Sequence, residues 1–158
     1  MKEKLEQKLT KKFPKLFRDL DGDPRKTLMH YGCAIGDGWH GLMEECCQKL
    51  TDANHDVVLA QVKEKFATLT IYIHAAKEGD RIPEEAFQIC GDISKASTKV
   101  CEYCGAPGYI RRDGRYWIKT LCDECDEKFL AGWRPHMDEE RWKETMEKIC
   151  HSKESKKS

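Results

Sequence analysis

The chain has 158 residues, with 28 basic and 28 acidic side chains, so its formal net charge is zero at pH 7. A chain of this length can bury a core of useful size, and its even charge balance excludes a whole-molecule field that would draw it onto nucleic acid or an anionic membrane. Segment 1–12 lacks an apolar signal region, and no run approaches the roughly 18 apolar residues of a membrane span. We therefore expect a cytoplasmic protein whose nine cysteines are reduced.

A short amphipathic helix is predicted near the start of the chain. Leu5, Leu9 and Phe13 recur at four-residue spacing, and Pro14 follows them directly. This spacing places the three side chains on one helix face, and a proline cannot continue the helix. The pattern therefore predicts a helix that stops before Pro14.

A second helix is predicted after the break at Gly36 and Gly38. In this helix Leu42, Cys46 and Leu50 share one face, with two further apolar residues, Met43 and Cys47, beside it. Cysteines in such a stripe pack as small apolar residues. We expect Cys46 and Cys47 to lie in the core.

The start of this second helix, AIGDGWH, is also a candidate ligand site. Asp37 offers an acceptor, Trp39 a stacking face and His40 a titratable ring, and a helix that begins here directs free N–H groups at an anion. We name these three residues as candidate ligand contacts. The alternative is a capped helix start in which Trp39 is a core anchor.

The middle of the chain changes character. VVLAQVKEKFATLTIYIHA, from Val57 onward, is rich in Val, Ile, Thr and Tyr, which favours a bent pair of strands over a helix that passes into a strand. A turn is predicted at 79–80. A further helix is predicted after Pro83, with Phe87, Cys90 and Ile93 at helical spacing.

Four cysteines form the strongest motif in the chain. Cys101, Cys104, Cys122 and Cys125 make two Cys-x-x-Cys pairs separated by a spacing that is typical of tetrahedral four-thiolate sites. The sequence therefore predicts structural Zn²⁺. A closed shell of four thiolates leaves no position for water, so this zinc is not expected to be catalytic.

Between the pairs, the sequence predicts a zinc-ribbon hairpin that turns at Asp113 and Gly114, with strands over 109–112 and 115–120. Arginine and aromatic side chains on such a hairpin can hold phosphates and stack on bases. The candidate ligand contacts here are Arg111, Arg112, Arg115 and Trp117. The alternative is a solvated hairpin whose aromatic side chains cover the metal.

The predicted fold is α+β, a small mixed domain with the four-cysteine ribbon packed on it. We assign residues 1–98 to the α+β domain and 99–134 to the ribbon. Residues 135–158 are expected to form a helix, over 139–150, followed by a disordered tail rich in Lys and Ser.

Three ordered segments resemble an uncharacterised family of small phage and prophage proteins. They are CAIGDGW (33–39), KEKFATLTIY (63–72) and CEYCGAPG (101–108), and the likeness spans roughly residues 14–130. Ala67 stands where that family usually has glycine, and Thr70 where it usually has arginine. The resemblance implies a phage-type accessory protein that works in the host cytoplasm, but it implies no specific activity.

Two functions are expected from these observations. The first is a non-enzymatic binding protein that antagonises host defence by sequestering a nucleotide signal or by blocking a host protein. The alternative is a ribbon that binds nucleic acid and regulates transcription or replication. A nucleotide-degrading enzyme would need a nucleophile or an open metal position, and the sequence does not single out either.

Overall fold

The structure is a computed structural model that describes residues 1–112 and 117–132. The chain divides into two compact units, Met1–Cys122 and Asp123–Ser158. The α-helices described in the first unit are α1 (Glu3–Lys12), α2 (His40–Asp52) and α3 (Glu84–Ser97), and short 3₁₀ helices cover Leu28–Tyr31 and Asp37–Trp39. The strands there are β1 (Cys33–Ala34), β2 (Val57–Lys65), β3 (Thr68–Ala75), β4 (Tyr109–Arg111) and β5 (Lys119–Leu121). In the second unit, α4 covers Asp123–Leu130. This mixture of helices and strands, with the four cysteines close together, confirms the predicted α+β class.

The three-stranded sheet has the order β1-β2-β3. β1 runs parallel to β2, and β2 pairs antiparallel with β3 across a two-residue loop of Phe66 and Ala67. Ile71 and Ile73 are buried while Tyr72 between them is exposed, as the two-residue period of a strand requires. A register shift between Leu59 and Gln61 bends β2. The predicted bent strand pair is confirmed.

α2 and α3 supply one side of the hydrophobic core. On α2, Cys46 and Cys47 have no exposed surface, which confirms their predicted core position. On α3, Cys90 and Ile93 are buried together with Ala86, whereas Phe87 is 49% exposed. The buried stripe of α3 therefore runs along 86, 90 and 93, one position to the side of the spacing that includes Phe87.

α1 ends where the sequence predicts. Its last residue is Lys12, and Leu9 and Phe13 are buried against the rest of the core. None of the helices among the described residues combines the length and the apolar character that crossing a bilayer requires.

The predicted boundary between residues 98 and 99 stays a prediction, and the two compact units divide elsewhere, after Cys122. Residues 99–122 belong to the first unit, because the turn that carries Cys101 and Cys104 is hydrogen-bonded to the segment before α2. The predicted turn at Asp113 and Gly114, the helix over 139–150 and the tail over 151–158 lie outside the described residues.

Candidate metal centre and candidate ligand groove

The thiols of Cys101, Cys104, Cys122 and Cys125 lie together. Their sulfur atoms are all within 4.8 Å of one another, and the Sγ atoms of Cys104 and Cys122 are 3.6 Å apart. Cys101 and Cys125 are buried, whereas Cys104 is exposed. Four thiols at this separation can hold one metal ion between them.

A tight backbone turn places the first pair of thiols. Cys101 donates its N–H to the Ala106 carbonyl over 2.7 Å, and Gly105 donates to the Cys101 carbonyl over 2.9 Å. Gly105 has a φ of +79°, a left-handed conformation that glycine adopts without the steric penalty of a side chain. The second pair follows β5 directly: Cys122 comes after its last residue, and Cys125 lies in the first turn of α4. Local geometry thus explains the Cys-x-x-Cys spacing.

Segment 36–39 (GDGW) packs against this turn, and we call it the platform. Gly38 donates its N–H to the Glu102 carbonyl over 2.9 Å, and Gly36 donates to the Glu102 carboxylate over 3.2 Å. The Trp39 indole N–H donates to the Val100 carbonyl over 2.8 Å. Three hydrogen-bond donors of this short segment therefore hold the turn of Cys101 and Cys104 in place.

Glycine is needed in this platform because the two backbones almost touch. A Cβ atom on Gly38 would lie 2.2 Å from the Cys101 carbonyl oxygen and 2.3 Å from the Gly105 nitrogen. A Cβ on Gly36 would lie 2.2 Å from the Glu102 carbonyl oxygen. Gly36 and Gly38 therefore permit the close approach of the cysteine turn.

A partly buried lysine joins the ribbon to the β2–β3 hairpin. The Lys119 ammonium lies 2.8 Å from a carboxylate oxygen of Glu64 and 2.8 Å from one of Glu102. Thr120 donates its hydroxyl to the Ala67 carbonyl over 2.7 Å. Burial raises the pKa of the Glu102 carboxyl, and the positive charge of Lys119 opposes that rise. Segments 33–39, 63–72 and 101–108, which carry the phage-type resemblance, thus come together around Glu102 and Lys119. This contact region is called the joint.

The candidate ligand residues around the start of α2 have structural partners or are buried. Trp39 has no exposed surface, so neither ring face is open for stacking, and it takes the alternative role of core anchor. The Asp37 carboxylate accepts a hydrogen bond from the Lys2 N–H over 2.7 Å and lies 3.3 Å from the Lys2 ammonium. The buried Nε2 of His40 makes no hydrogen bond with the described residues. The structure therefore does not assemble these three side chains into an open binding surface.

On the ribbon, Arg111 is only 7% exposed. Its Nε donates to the Leu121 carbonyl over 3.2 Å, and its guanidinium lies 3.7 Å from the centre of the Tyr109 ring. These contacts tie β4 to β5 and leave little of Arg111 for a phosphate. Arg112 and Trp117 are exposed, and Arg115 lies outside the described residues.

Sequence reasoning missed Glu64, Glu102, Lys119 and Thr120 as members of this joint. Glu102 gave one available signal, because a charged residue between two closely spaced metal ligands is positioned by the turn itself. For Lys119 and Thr120 the burial depends on a hairpin more than 50 positions earlier in the chain. No local pattern could have identified them.

A groove of about 830 Å³ lies elsewhere in the first unit. It is bounded by the end of α1, the loop after α2 and the beginning of β2, and its floor includes Phe13, Leu16 and Val57. Its charged residues are Lys12, Lys15, Arg18 and Asp56. A cleft of this volume with an apolar floor and polar groups at its edge falls in the range of small-molecule sites.

Comparison of the chain with protein-family models, with curated proteins and with solved structures gives no match. The resemblance to phage-type proteins therefore stays a prediction. The function has to be argued from the metal centre and the accessible surfaces.

Proposed function

We propose that the protein is a non-enzymatic binding protein, with structural zinc at its four-cysteine centre and a nucleotide-type small molecule in its groove. In keeping with the phage-type resemblance, the ligand would be a host signalling nucleotide that the protein sequesters. A protein partner of the host is the other possible target of the same binding role.

Zinc is the metal proposed because four thiolates are the donor set that it prefers in structural sites. Such a centre is closed, so the ion organises the protein and does not activate a water. The contacts around it agree with this role, since Gly38, Trp39 and Lys119 all hold the cysteine turn in place. Metal binding at this joint is expected to stabilise the whole first unit.

The single observation that carries the ligand proposal is the groove. Its volume suits a nucleotide, its floor is apolar, and Lys15 makes no ion pair with the described residues. Lys12 and Arg18 are paired with Glu44 and Asp19, but exposed pairs of this kind are weak and can be exchanged for a phosphate. The phosphate is expected at Lys15, because the last carbonyls of α1 and α2 carry partial negative charge and disfavour an anion at the helix ends themselves.

Native mass spectrometry of protein purified from cells tests both parts of the proposal. The expected species carries one zinc ion and a nucleotide-sized adduct. Replacing Cys122 with serine should remove the metal and lower the free energy of unfolding by about 4 kcal/mol when the metal is roughly a thousandfold above its dissociation constant. An unchanged metal content and melting temperature in Cys122→Ser would contradict the zinc assignment.

The groove is tested by charge reversal at Lys15. Lys15→Glu should abolish the adduct and the binding of added ATP in calorimetry, whereas Lys4→Glu, an exposed change elsewhere on α1, should leave both unchanged. A zinc-loaded protein that carries no adduct and binds no nucleotide would contradict nucleotide capture. A host protein recovered with the wild type, and not with Lys15→Glu, would identify a protein target instead.

Regulation of transcription or replication by the ribbon remains the alternative. It is favoured by the exposure of Arg112 and of Trp117, which is 66% exposed. It is weakened by the burial of Arg111 and by the pairing of Lys119 with two carboxylates. DNA binding at low salt that is lost in Arg112→Gln would favour it.

A further inference from the structure

The outer face of the three-stranded sheet is a second accessible surface, and the strand register defines it. Leu69, Ile71 and Ile73 of β3 point into the core, so the residues between them point outward. The pairing of Lys63 with Thr70 and of Lys65 with Thr68 places both lysines on that outward side. The outward positions are Ala34, Val58, Gln61, Lys63, Lys65, Thr68, Thr70, Tyr72 and His74, and Val58 among them is buried.

This outer sheet face is positively charged although the whole chain is neutral. None of its outward positions is acidic. The carboxylate nearest in sequence is Glu64, which sits between the two lysines but lies opposite the inward Leu69 and pairs with Lys119. Two lysines without an acidic neighbour on the same face are complementary to a chain of phosphates.

Two aromatic rings accompany the lysines. Tyr72 is 41% exposed and Phe66, in the loop between β2 and β3, is 76% exposed. The Lys63 ammonium lies 5.6 Å from the centre of the Tyr72 ring, and the Lys65 ammonium lies 5.7 Å from the centre of the Phe66 ring. Each ring therefore has a cation over its face, and a base that stacks on the ring would displace that lysine toward the adjoining phosphate.

The loop holds Phe66 outward at a cost in backbone energy. Phe66 and Ala67 have φ values of +51° and +65°, a region that residues with a Cβ atom adopt rarely. The strain is maintained because the Ala67 N–H donates to the Glu64 carboxylate and the Ala67 carbonyl accepts from Thr120. Positive φ at both residues is what a two-residue hairpin loop of type I′ requires, and in this loop it leaves the Phe66 ring exposed beside the outer sheet face.

We propose that the outer sheet face binds single-stranded nucleic acid, with bases stacked on Tyr72 and Phe66 and phosphates held by Lys63 and Lys65. A single strand is the partner because its bases are free to stack on an open sheet, whereas those of a duplex are already stacked on one another. From Thr68 to Tyr72 the strand extends about 13 Å, the rise of roughly four stacked nucleotides. This inference does not depend on the nucleotide groove.

The test is fluorescence anisotropy with a labelled oligonucleotide of roughly 15 thymidines, a length that exceeds the expected contact. Tyr72→Thr and Phe66→Asn should each weaken binding about 5- to 150-fold, the range for loss of one base–aromatic stack. Asparagine tolerates the positive φ of position 66, so the fold is kept in that variant. Lys63→Gln combined with Lys65→Gln should lower the slope of log affinity against log salt by about 1.4, because a single strand releases about 0.7 counterion per phosphate contact.

The matched control is Phe87→Gln, which removes an exposed ring from α3 and should leave binding unchanged. Three results would overturn the proposal: no binding by the wild type at about 50 mM salt, where phosphate contacts are strong, tighter binding of the corresponding duplex, or equal loss in Phe87→Gln. Binding that survives Tyr72→Thr and Phe66→Asn but is lost in Arg112→Gln would also overturn it and would locate the contact on the ribbon. Because the oligonucleotide assay does not involve Lys15, its failure and the failure of nucleotide capture are separate results.

Discussion

Replacing Gly38 with alanine tests whether the metal turn depends on its close contact with the platform before α2. The added Cβ would meet the Cys101 carbonyl oxygen at 2.2 Å, the Gly105 nitrogen at 2.3 Å and the Cys104 nitrogen at 2.8 Å. All three atoms belong to the backbone, so no flexible side chain can swing away. The turn and the platform must move apart.

The magnitude follows from two contributions. Overpacking in a well-packed region costs typically about 1–3 kcal/mol. Separation of the two backbones also lengthens the hydrogen bond from the Gly38 N–H to the Glu102 carbonyl, whose loss costs about 1 kcal/mol. We expect Gly38→Ala to lower the free energy of unfolding by about 2–4 kcal/mol and to weaken metal binding, because metal binding and folding of the turn are coupled.

Urea unfolding followed by tryptophan fluorescence measures the first effect, and competition with a chromophoric chelator measures the second. The matched control is Gly91→Ala, in the middle of α3, where an added Cβ has no heavy atom within 4 Å. This control should stabilise the protein by about 1 kcal/mol, the helix-propensity difference between glycine and alanine. If Gly38→Ala unfolds at the wild-type urea concentration, with an unchanged slope and metal affinity, the reasoning about close approach is refuted.

Three further predictions concern the joint and the core. Lys119→Met leaves the carboxylates of Glu64 and Glu102 without their shared cation, so it should lower the free energy of unfolding by about 3–5 kcal/mol in urea titrations. A loss below about 1 kcal/mol, the scale of an exposed ion pair, would show that the lysine is not buried between the two carboxylates. Ala67→Gly should raise the melting temperature slightly. Relief of the positive φ stabilises the fold by about 1–2 kcal/mol, and loss of the buried methyl group destabilises it by about 0.8 kcal/mol. A lower melting temperature would contradict this balance. Burial raises the pKa of the Cys47 thiol from 9.0 to about 12. Above pH 9 the unfolded chain therefore loses a proton that the folded chain keeps, and the free energy of unfolding should fall by up to about 1.4 kcal/mol per pH unit. Cys47→Ala should reduce that slope, and an equal slope in the variant would contradict the raised pKa of Cys47.

The sequence by itself determined the elements whose signals are local. The four-residue spacing of Leu42, Cys46 and Leu50 predicts α2 because helix faces repeat on that scale. The β-branched run after Val57 predicts the strand pair, and two Cys-x-x-Cys pairs predict the thiol cluster, since a tight turn brings both sulfurs of a pair together. The helical period of α3 does not decide whether Ala86 or Phe87 faces inward, and only the packed structure shows that Ala86 does.

The tertiary structure alone decided what the GDGW segment and the ribbon charges do. A glycine beside an aspartate and a tryptophan has the same sequence whether it approaches a ligand or another backbone. Trp39 meets Val100 across 61 positions, and Lys119 meets Glu64 across 55. Such contacts depend on how distant segments pack, and no residue pattern on either side records the partner. The folded chain uses Gly38, Trp39 and Arg111 to hold its own turn and hairpin together. The binding surfaces that we propose are therefore the groove and the outer sheet face, which only the folded chain reveals.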